Sequence, residues 1–377
     1  MKEEAKFRLV MRLGQISDPR MDRTKLHSLQ DILVIAVLAT ICAAESYAEI
    51  AEFGEDKEEW LKTFLELANG IPSHDTFRRV LQLLKPAELE QAFREWAAGM
   101  TQLEAGEIIA IDGKHLKGSK RKGEGGNAGL RFVSAWATEN RVVLGQVKTQ
   151  EKSNEITAIP ELLKSLSLSG CVVTIDAMGC QKEIVQEIQQ QQADYVIALK
   201  GNQGDLHQEV RQYFDWATNL PPREQQFDTF ETVEKGHGRL ETRRCQVTED
   251  IAWLAQKGQW AGLQSIVMVE AEREIMGQEA TREKRYFISS LPANAAAHLH
   301  AVRSHWQVEN SLHWVLDVAF REDACQVKNV TGATNLAVLR KIALNFLNQE
   351  KTSRRSIKGK MLKAGRNQAY LLKILNI

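Results

Sequence analysis

The sequence predicts an α/β fold of the α+β kind: a mixed sheet covered by helices, a β-rich insertion, and an all-α region ahead of both. Three observations carry this. Residues 1–103 place apolar side chains at helical spacing and contain no strand-like run. From Glu107 the pattern turns into short β-branched runs alternating with helical ones, in the order β-β-β-α-β-α-β. Residues 201–290 then break the alternation with long, charged, strand-like runs. The expected division is 1–103 helical, 104–200 with 291–345 as the core, 201–290 as the insertion, and 346–377 as a basic tail. At 377 residues the chain has ample length for such an arrangement.

In the first region Ser28 is placed to cap a helix beginning near Leu29, with Asp31 in its first turn. The run Ile32–Ala44 is about 13 residues, short of the ~20 that span a bilayer, so it reads as a buried helix and not as a membrane span or leader. EIAEFGEDKEEWLKTFLELANG reads as a helix, a break near Gly54, and a second helix ending at Gly70. Ser73 caps the next helix, whose stripe is Phe77, Val80, Leu81 and Leu84. Pro86 ends it and opens another.

In the core EIIAID, LRFVSAWAT and RVVLGQVKT are strands, the last two joined by a turn at Glu139–Asn140. NEITAIPELLKSL is a helix, CVVTID a buried strand, CQKEIVQEIQQQQ a helix and DYVIAL a strand. DLHQEVRQYF reads as a helix, followed by antiparallel strands turning at Lys235–Gly238 and Met276–Gln278. From about Ala295 the chain is helical again through AVRSHWQVENSLHWVLDVAFRED.

Basic and acidic residues balance at 49 each, so no partner follows from net charge, and a nucleic-acid reading must rest on local clusters. The five cysteines are scattered, without a C-x-x-C pair, and read as reduced thiols of a cytoplasmic protein.

Asp112 ends the first core strand and Asp176 ends the strand after the first helix. In a sheet of this order the two strands lie side by side, so both carboxylates emerge at one sheet end. Neighbouring carboxylates repel unless protonated or bridged by cations. Hard divalent ions take oxygen ligands, and a pair of them suits in-line phosphoryl displacement. A third acid from the late helix would complete the cage: HWQVENSLHWVLDVAFRED offers Glu309, Asp317, Glu322 and Asp323, with His305, Glu309, His313 and Asp317 forming a four-residue helical stripe. Lys114, Lys117 and Lys200 stand at neighbouring strand ends, where they would hold a polyanion. The H-x-x-x-E-x-x-x-H spacing lacks the H-E-x-x-H of a zinc hydrolase and a third strong ligand.

IAIDGKHLKGS, TIDAMGCQ, ALKGNQ, GHGRLETRR and HWQVENSLHWVLDVAFRED, in this order, closely resemble the H-repeat-associated insertion-sequence transposases of the DDE superfamily. LHSLQDILVIAVLATICAAESYAEIAEFGE and PSHDTFRRVL resemble that family's helical N-terminal domain, so the resemblance covers nearly the whole chain. It implies a ribonuclease H-like core in which Asp112, Asp176 and Glu309 bind two Mg²⁺ ions, with Mn²⁺ able to substitute. It implies a β insertion before the Glu-bearing helix, and a reaction in which water frees a 3′-hydroxyl at an element end and that hydroxyl attacks target DNA. The implied partners are double-stranded DNA, as terminal inverted repeats and target, and a second copy on that DNA, with action on the bacterial nucleoid and no membrane. Related families carry Tyr, Arg and Lys around the Glu. Here Val302, His305 and Leu316 stand at those places, leaving His305, Arg303 and His313 to grip phosphate and Asp317 as a second choice of acid. An inactive DNA-binding remnant and a nuclease without strand transfer are the alternatives.

For DNA contact the sequence offers Arg78 and Arg79 early on a capped helix, and Arg239 and Arg243 on one strand face beside turn glycines. It also offers the tail Lys351–Arg366, with seven basic residues including Arg354, Arg355, Lys358 and Lys360 and no acid. Trp306 and Trp314 are read as core packing or as platforms for an unstacked base.

Overall fold

The computed structural model describes residues 3–119, 129–149, 155–221, 224–236, 238–275, 277 and 279–375. Six helices come first: α1 (Glu3–Gly14), α2 (Leu29–Ile41), α3 (Tyr47–Asp56), α4 (Glu58–Leu61), α5 (His74–Leu83) and α6 (Pro86–Met100). Ser28 Oγ accepts from Asp31 N at 3.0 Å and Ser73 Oγ from Thr76 N at 3.4 Å, so both expected caps form. Pro86 is the first residue of α6, where its missing N–H costs nothing. The break expected near Gly54 falls just after it, at Lys57, and the second helix, α4, ends at Leu61 and not at Gly70. Gly54 itself lies inside α3, where a Cβ would meet Ile71 Cγ2 at 2.6 Å.

The sheet is built from β1 (Ile108–Leu116), β2 (Leu130–Ala137) and β3 (Val142–Lys148). After α7 (Glu155–Lys164) come β4 (Val172–Ile175), α8 (Lys182–Gln190), β5 (Asp194–Leu199) and α9 (Gly204–Ala217). Four strands follow in the expected insertion: β6 (Asp228–Gly236), β7 (Arg239–Thr248), β8 (Ser265–Ile275) and β9 (Thr281–Ser289). They extend the core sheet, because β9 pairs antiparallel with β5 and the nine strands run 3-2-1-4-5-9-8-7-6. Strands 3-2-1-4-5, with β1, β4 and β5 parallel and β2 and β3 antiparallel to their neighbours, give the mixed core that the resemblance implied. The Lys235–Gly238 turn is closed by Gly236 facing Arg239, with Gly238 at φ +74°; His237, Met276 and Gln278 lie outside the described residues.

The chain closes with α10 (Ala295–His305), a π-helical segment Val308–His313, α11 (Trp314–Val318), α12 (Val330–Gln349), α13 (Ile357–Arg366) and α14 (Gln368–Leu375). One face of the sheet packs on α10 through Ile108, Val172, Val196, Val267 and Leu299. Helix α7 lies against β2 and β3, and α12 runs through the middle of the helical region while also touching β3. No helix of the described residues is long and apolar enough to cross a membrane, and the five cysteines are free thiols.

Edge strand β3 is closed by a side chain. Asn345 of α12, wholly buried, accepts from Val143 N at 2.8 Å and donates to Val143 O at 2.9 Å, as a neighbouring strand would. Asn345→Leu is expected to leave both backbone groups unpaired and lower unfolding stability by roughly 2–4 kcal/mol in urea titration. A change under about 0.5 kcal/mol would mean water replaces the amide.

Candidate active site

The site begins where the parallel ladder stops. β1 and β4 pair from Ile108↔Val172 to Ile111↔Ile175, and the next residue on each is Asp112 and Asp176. Pleating sends both side chains to the face that carries Ile108 and Val172, the face under α10. The expectation that Asp112 ends its strand needs correction: β4 ends there, whereas β1 continues to Leu116 on β2 alone, with Asp112 opposite Ser134.

Asp176 caps the short turn behind it, accepting from Met178 N at 3.1 Å and Gly179 N at 3.4 Å. The K-G-N-Q run after β5 braces that turn. Asn202 Nδ2 donates to Ala177 O at 2.6 Å and Gln203 Nε2 to Cys180 O at 2.8 Å.

Glu309 is the second residue of the π segment, which packs against β1. A single α-helix through these residues was expected; the chain instead widens its turns between α10 and α11. A spacing of four over-rotates a 3.6-residue helix, and the wider π turns offset that drift. The stripe therefore stays on the sheet. His313 Nδ1 lies 3.5 Å from Asp112 Oδ2, and Asp317 Oδ1 lies 2.5 Å from Lys114 Nζ. Two strand residues (~6.6 Å) and four helical ones (~6 Å) cover nearly equal lengths, so the two elements stay in step.

Charge in the site is concentrated and unbalanced. Burial pushes the Asp112 carboxyl up to about 7, and the charges of Asp176, Glu155 and Glu309 push the same way, against one backbone hydrogen bond from Gly113. Its ion-pair neighbour gives no relief, because burial with nearby Lys114 holds the His313 imidazole down at about 3, where it is neutral. Glu309 is exposed, and Asp112 and Asp176 are half-buried. Among the described residues no three His, Cys, Asp or Glu side chains already stand at metal-holding distance. The donors nonetheless suit a hard divalent cation: they are carboxylates, mutually repelling, and short of protein countercharge.

The expected DNA-contacting residues divide. Lys114, only 10% exposed, is enclosed by Asp317 and by Asp323 at 3.5 Å, so it ties α11 to β1 instead of facing phosphate. That pairing also occupies Asp317, the second choice of acid. His305 Nδ1 meets Thr174 Oγ1 at 3.1 Å, and burial keeps its pKa low; it anchors the end of α10 to β4. Lys360 is buried, donating to Leu347 O at 2.8 Å and to Glu350 O. Lys358 bonds Ala319 O at 3.2 Å, and Arg243 pairs with Glu241 at 2.7 Å and Glu234 at 3.1 Å. Arg78 and Arg79 are exposed, each bonded locally to Asp75. Lys117 is exposed beside Asp323 at 3.2 Å, and Arg239 lies 3.7 Å from Glu241. Lys200, Arg354 and Arg355 are exposed. Trp306 and Trp314 are both exposed, and Arg285 lies over the Trp306 ring at 5.1 Å.

Sequence reasoning missed two participants. Asp323 completes the Lys114 clamp, although it was named among the acids on offer. Glu155 lies against Gly113 beside the aspartates; an acid at the start of an amphipathic helix gave no signal of that.

Comparison with known proteins fits this geometry. A family model described as "Transposase DDE domain" matches residues 104–346, and one described as "DDE_Tnp_1-associated" matches residues 10–97. "Putative transposase YncI" of Escherichia coli O157:H7 is 41% identical over 366 residues, 96% of this chain and 93% of that protein. "H repeat-associated putative transposase YhhI" of Escherichia coli K12 is 37% identical over 374 residues, 98% of this chain and 97% of that protein. Among solved structures, a cryo-EM piggyBac transposase synaptic complex with hairpin DNA is similar at a TM-score of 0.43 and 11% identity, covering 99% of this chain and 80% of that one.

Two outcomes test the electrostatics. The folded pKa of Asp112 is raised from 3.8 to about 7, so the folded state binds its proton more tightly and loses stability as pH rises across that window. In chelator, Asp112→Asn is expected to melt above wild type at pH 8, with the gap closing as pH falls towards 4. Lys114→Met leaves Asp317 and Asp323 facing each other without their cation. It is expected to cost roughly 1.5–3 kcal/mol in urea titration, partly recovered by adding Asp317→Asn.

Proposed function

We propose, from the premise that this chain belongs to the DDE transposase family, that Asp112, Asp176 and Glu309 are its catalytic acids. They hold two Mg²⁺ ions, and the protein cuts DNA at insertion-sequence ends and joins the freed 3′-hydroxyl to target DNA. The observation that carries this is the end of the β1–β4 ladder, one residue short of both aspartates, beside the π segment Val308–His313 that carries Glu309. The ions would supply Lewis-acid activation of the attacking oxygen and charge stabilisation of the leaving one.

The chain's own residues do the rest. Asp176 is held by the capped turn and its Asn202 and Gln203 braces, so it keeps one orientation. Asp112 is fixed by its pairing with Ser134 of β2, one residue past the β1–β4 ladder, and the Lys114 clamp keeps α11 seated behind Glu309. Exposed Lys117 and Lys200, near the ends of β1 and β5, are assigned to phosphates flanking the scissile bond. Arg78 and Arg79 on α5, Arg239 on the β extension, and Arg354 and Arg355 before α13 are assigned to DNA further out. Two element ends have to be joined, so the active form on DNA is a homodimer.

The experiment supplies element-end duplex, Mg²⁺ and full-length protein. Wild type is expected to nick the end, and to join a pre-cut end bearing a 3′-hydroxyl to plasmid DNA. Asp112→Ala, Asp176→Ala and Glu309→Ala should each lower both rates by at least about a thousandfold while retaining DNA binding. Wild type that binds the end and never cuts it would overturn the reading, and cutting without joining would reduce it to a nuclease.

A further inference from the structure

Gly113 follows the first catalytic acid directly, and its missing side chain has a specific occupant. A Cβ there would collide with the Glu155 carboxylate. Pleating points Gly113 away from the face that carries Asp112, so Glu155 rests on bare backbone from the other side of the same strand. It is the first residue of α7. That helix is held by buried Ala158, Ile159, Leu162 and Leu163 and packs on β2, β3 and the turn behind Asp176.

The helix does not require this placement. An acid in a first turn is favoured by the helix dipole, but it gains that benefit equally well in water. Glu155 is instead half-buried and lies within reach of the charges of two other carboxylates. The charges of Asp176 and Asp112 act against its own, and among the described residues Arg131 is the one cation acting on it from nearby. Gathering a further like charge at this point is unfavourable unless cations bind there. Charge balance points the same way. Three carboxylates leave two divalent ions with one positive charge over, whereas four neutralise them before any phosphate arrives.

We propose that Glu155 is a fourth carboxylate ligand of the metal site, admitted to it by Gly113. The proposal rests on the reading of Asp112, Asp176 and Glu309 as metal ligands and extends that set.

The test uses the full-length protein without DNA and Mn²⁺ alone as the probe, following free Mn²⁺ by electron paramagnetic resonance while chelated samples are melted in parallel. Glu155→Gln keeps the size and packing of the side chain and removes its charge. Glu155→Asp keeps the charge and shortens the reach. A ligand predicts that Gln weakens Mn²⁺ binding about tenfold or more, with Asp closer to wild type, and that the metal-free Gln variant melts no lower than wild type. A residue that only fills the space over Gly113 predicts the reverse order, with Gln the better replacement; that result, or unchanged Mn²⁺ binding in Glu155→Gln, overturns the proposal. Asp112→Asn run alongside separates the two levels. If it weakens binding while Glu155→Gln does not, only the fourth ligand falls. If neither variant changes binding, the acid-site reading itself fails.

Discussion

The structure depends on a backbone constraint that acts against electrostatics. Parallel pairing of β1 with β4 stops at Ile111↔Ile175 and leaves Asp112 and Asp176 next to each other. At the ~4.8 Å spacing of paired strands, two carboxylates repel by about 3 kcal/mol at an effective dielectric of 20. The residues that set the register answer this. Ile109, Ile111, Val173 and Ile175 are buried, each contributing about 1.5–3 kcal/mol. A register slip would turn all of them to the opposite face, against α10, and break the packing on both sides of the sheet, so the repulsion persists because the alternative is worse.

Cations show the same economy in a chain with no net charge. Several that look free along the sequence are structural. Lys360 meets backbone carbonyls at the C-terminal end of α12, Lys114 holds α11, and Lys341 is wholly buried with its ammonium 5.5 Å from the Phe132 ring. Burial drives the Lys341 pKa down, against the charges of Glu322 and Glu90, which is how an amine tolerates such a place. A cluster of basic letters therefore overstates the surface available to DNA. In the tail, Arg354 and Arg355 are exposed while Lys360 is enclosed.

What could be read from the sequence was local. Caps at Ser28 and Ser73, the proline start of α6, and the β-branched runs of β1, β4 and β5 all follow from neighbours in the chain. What could not be read depends on distant partners. Gly54 looked like the helix break, yet it lies inside α3 with Ile71 packed where its side chain would stand, and the break falls at Lys57. Lys114 looked like a phosphate contact, but its partner Asp317 lies 203 residues away. The π segment gave no sign either, since residues spaced by four suit both helix types until a sheet face is known. That Asp112 and Asp176 would be neighbours was legible because each follows an apolar β-branched run and the order of elements sets those two strands side by side.

The β extension also reaches the site, although none of its strands carries one of the three acids. Asp228 at the start of β6 accepts from Ala295 N at 2.6 Å, and Asn294 accepts from Ala297 N at 3.0 Å, so the start of α10 is doubly capped. Near its other end Arg303 pairs with Glu234 of β6 at 2.5 Å, while His305 bonds β4. Helix α10 thus lies across β1, β4, β6 and β7 together, and its end sets where the π segment begins. Moving β6 would move the origin of the segment that presents Glu309. The long stretch of sequence between Asp176 and Glu309 is part of what positions the segment that carries Glu309.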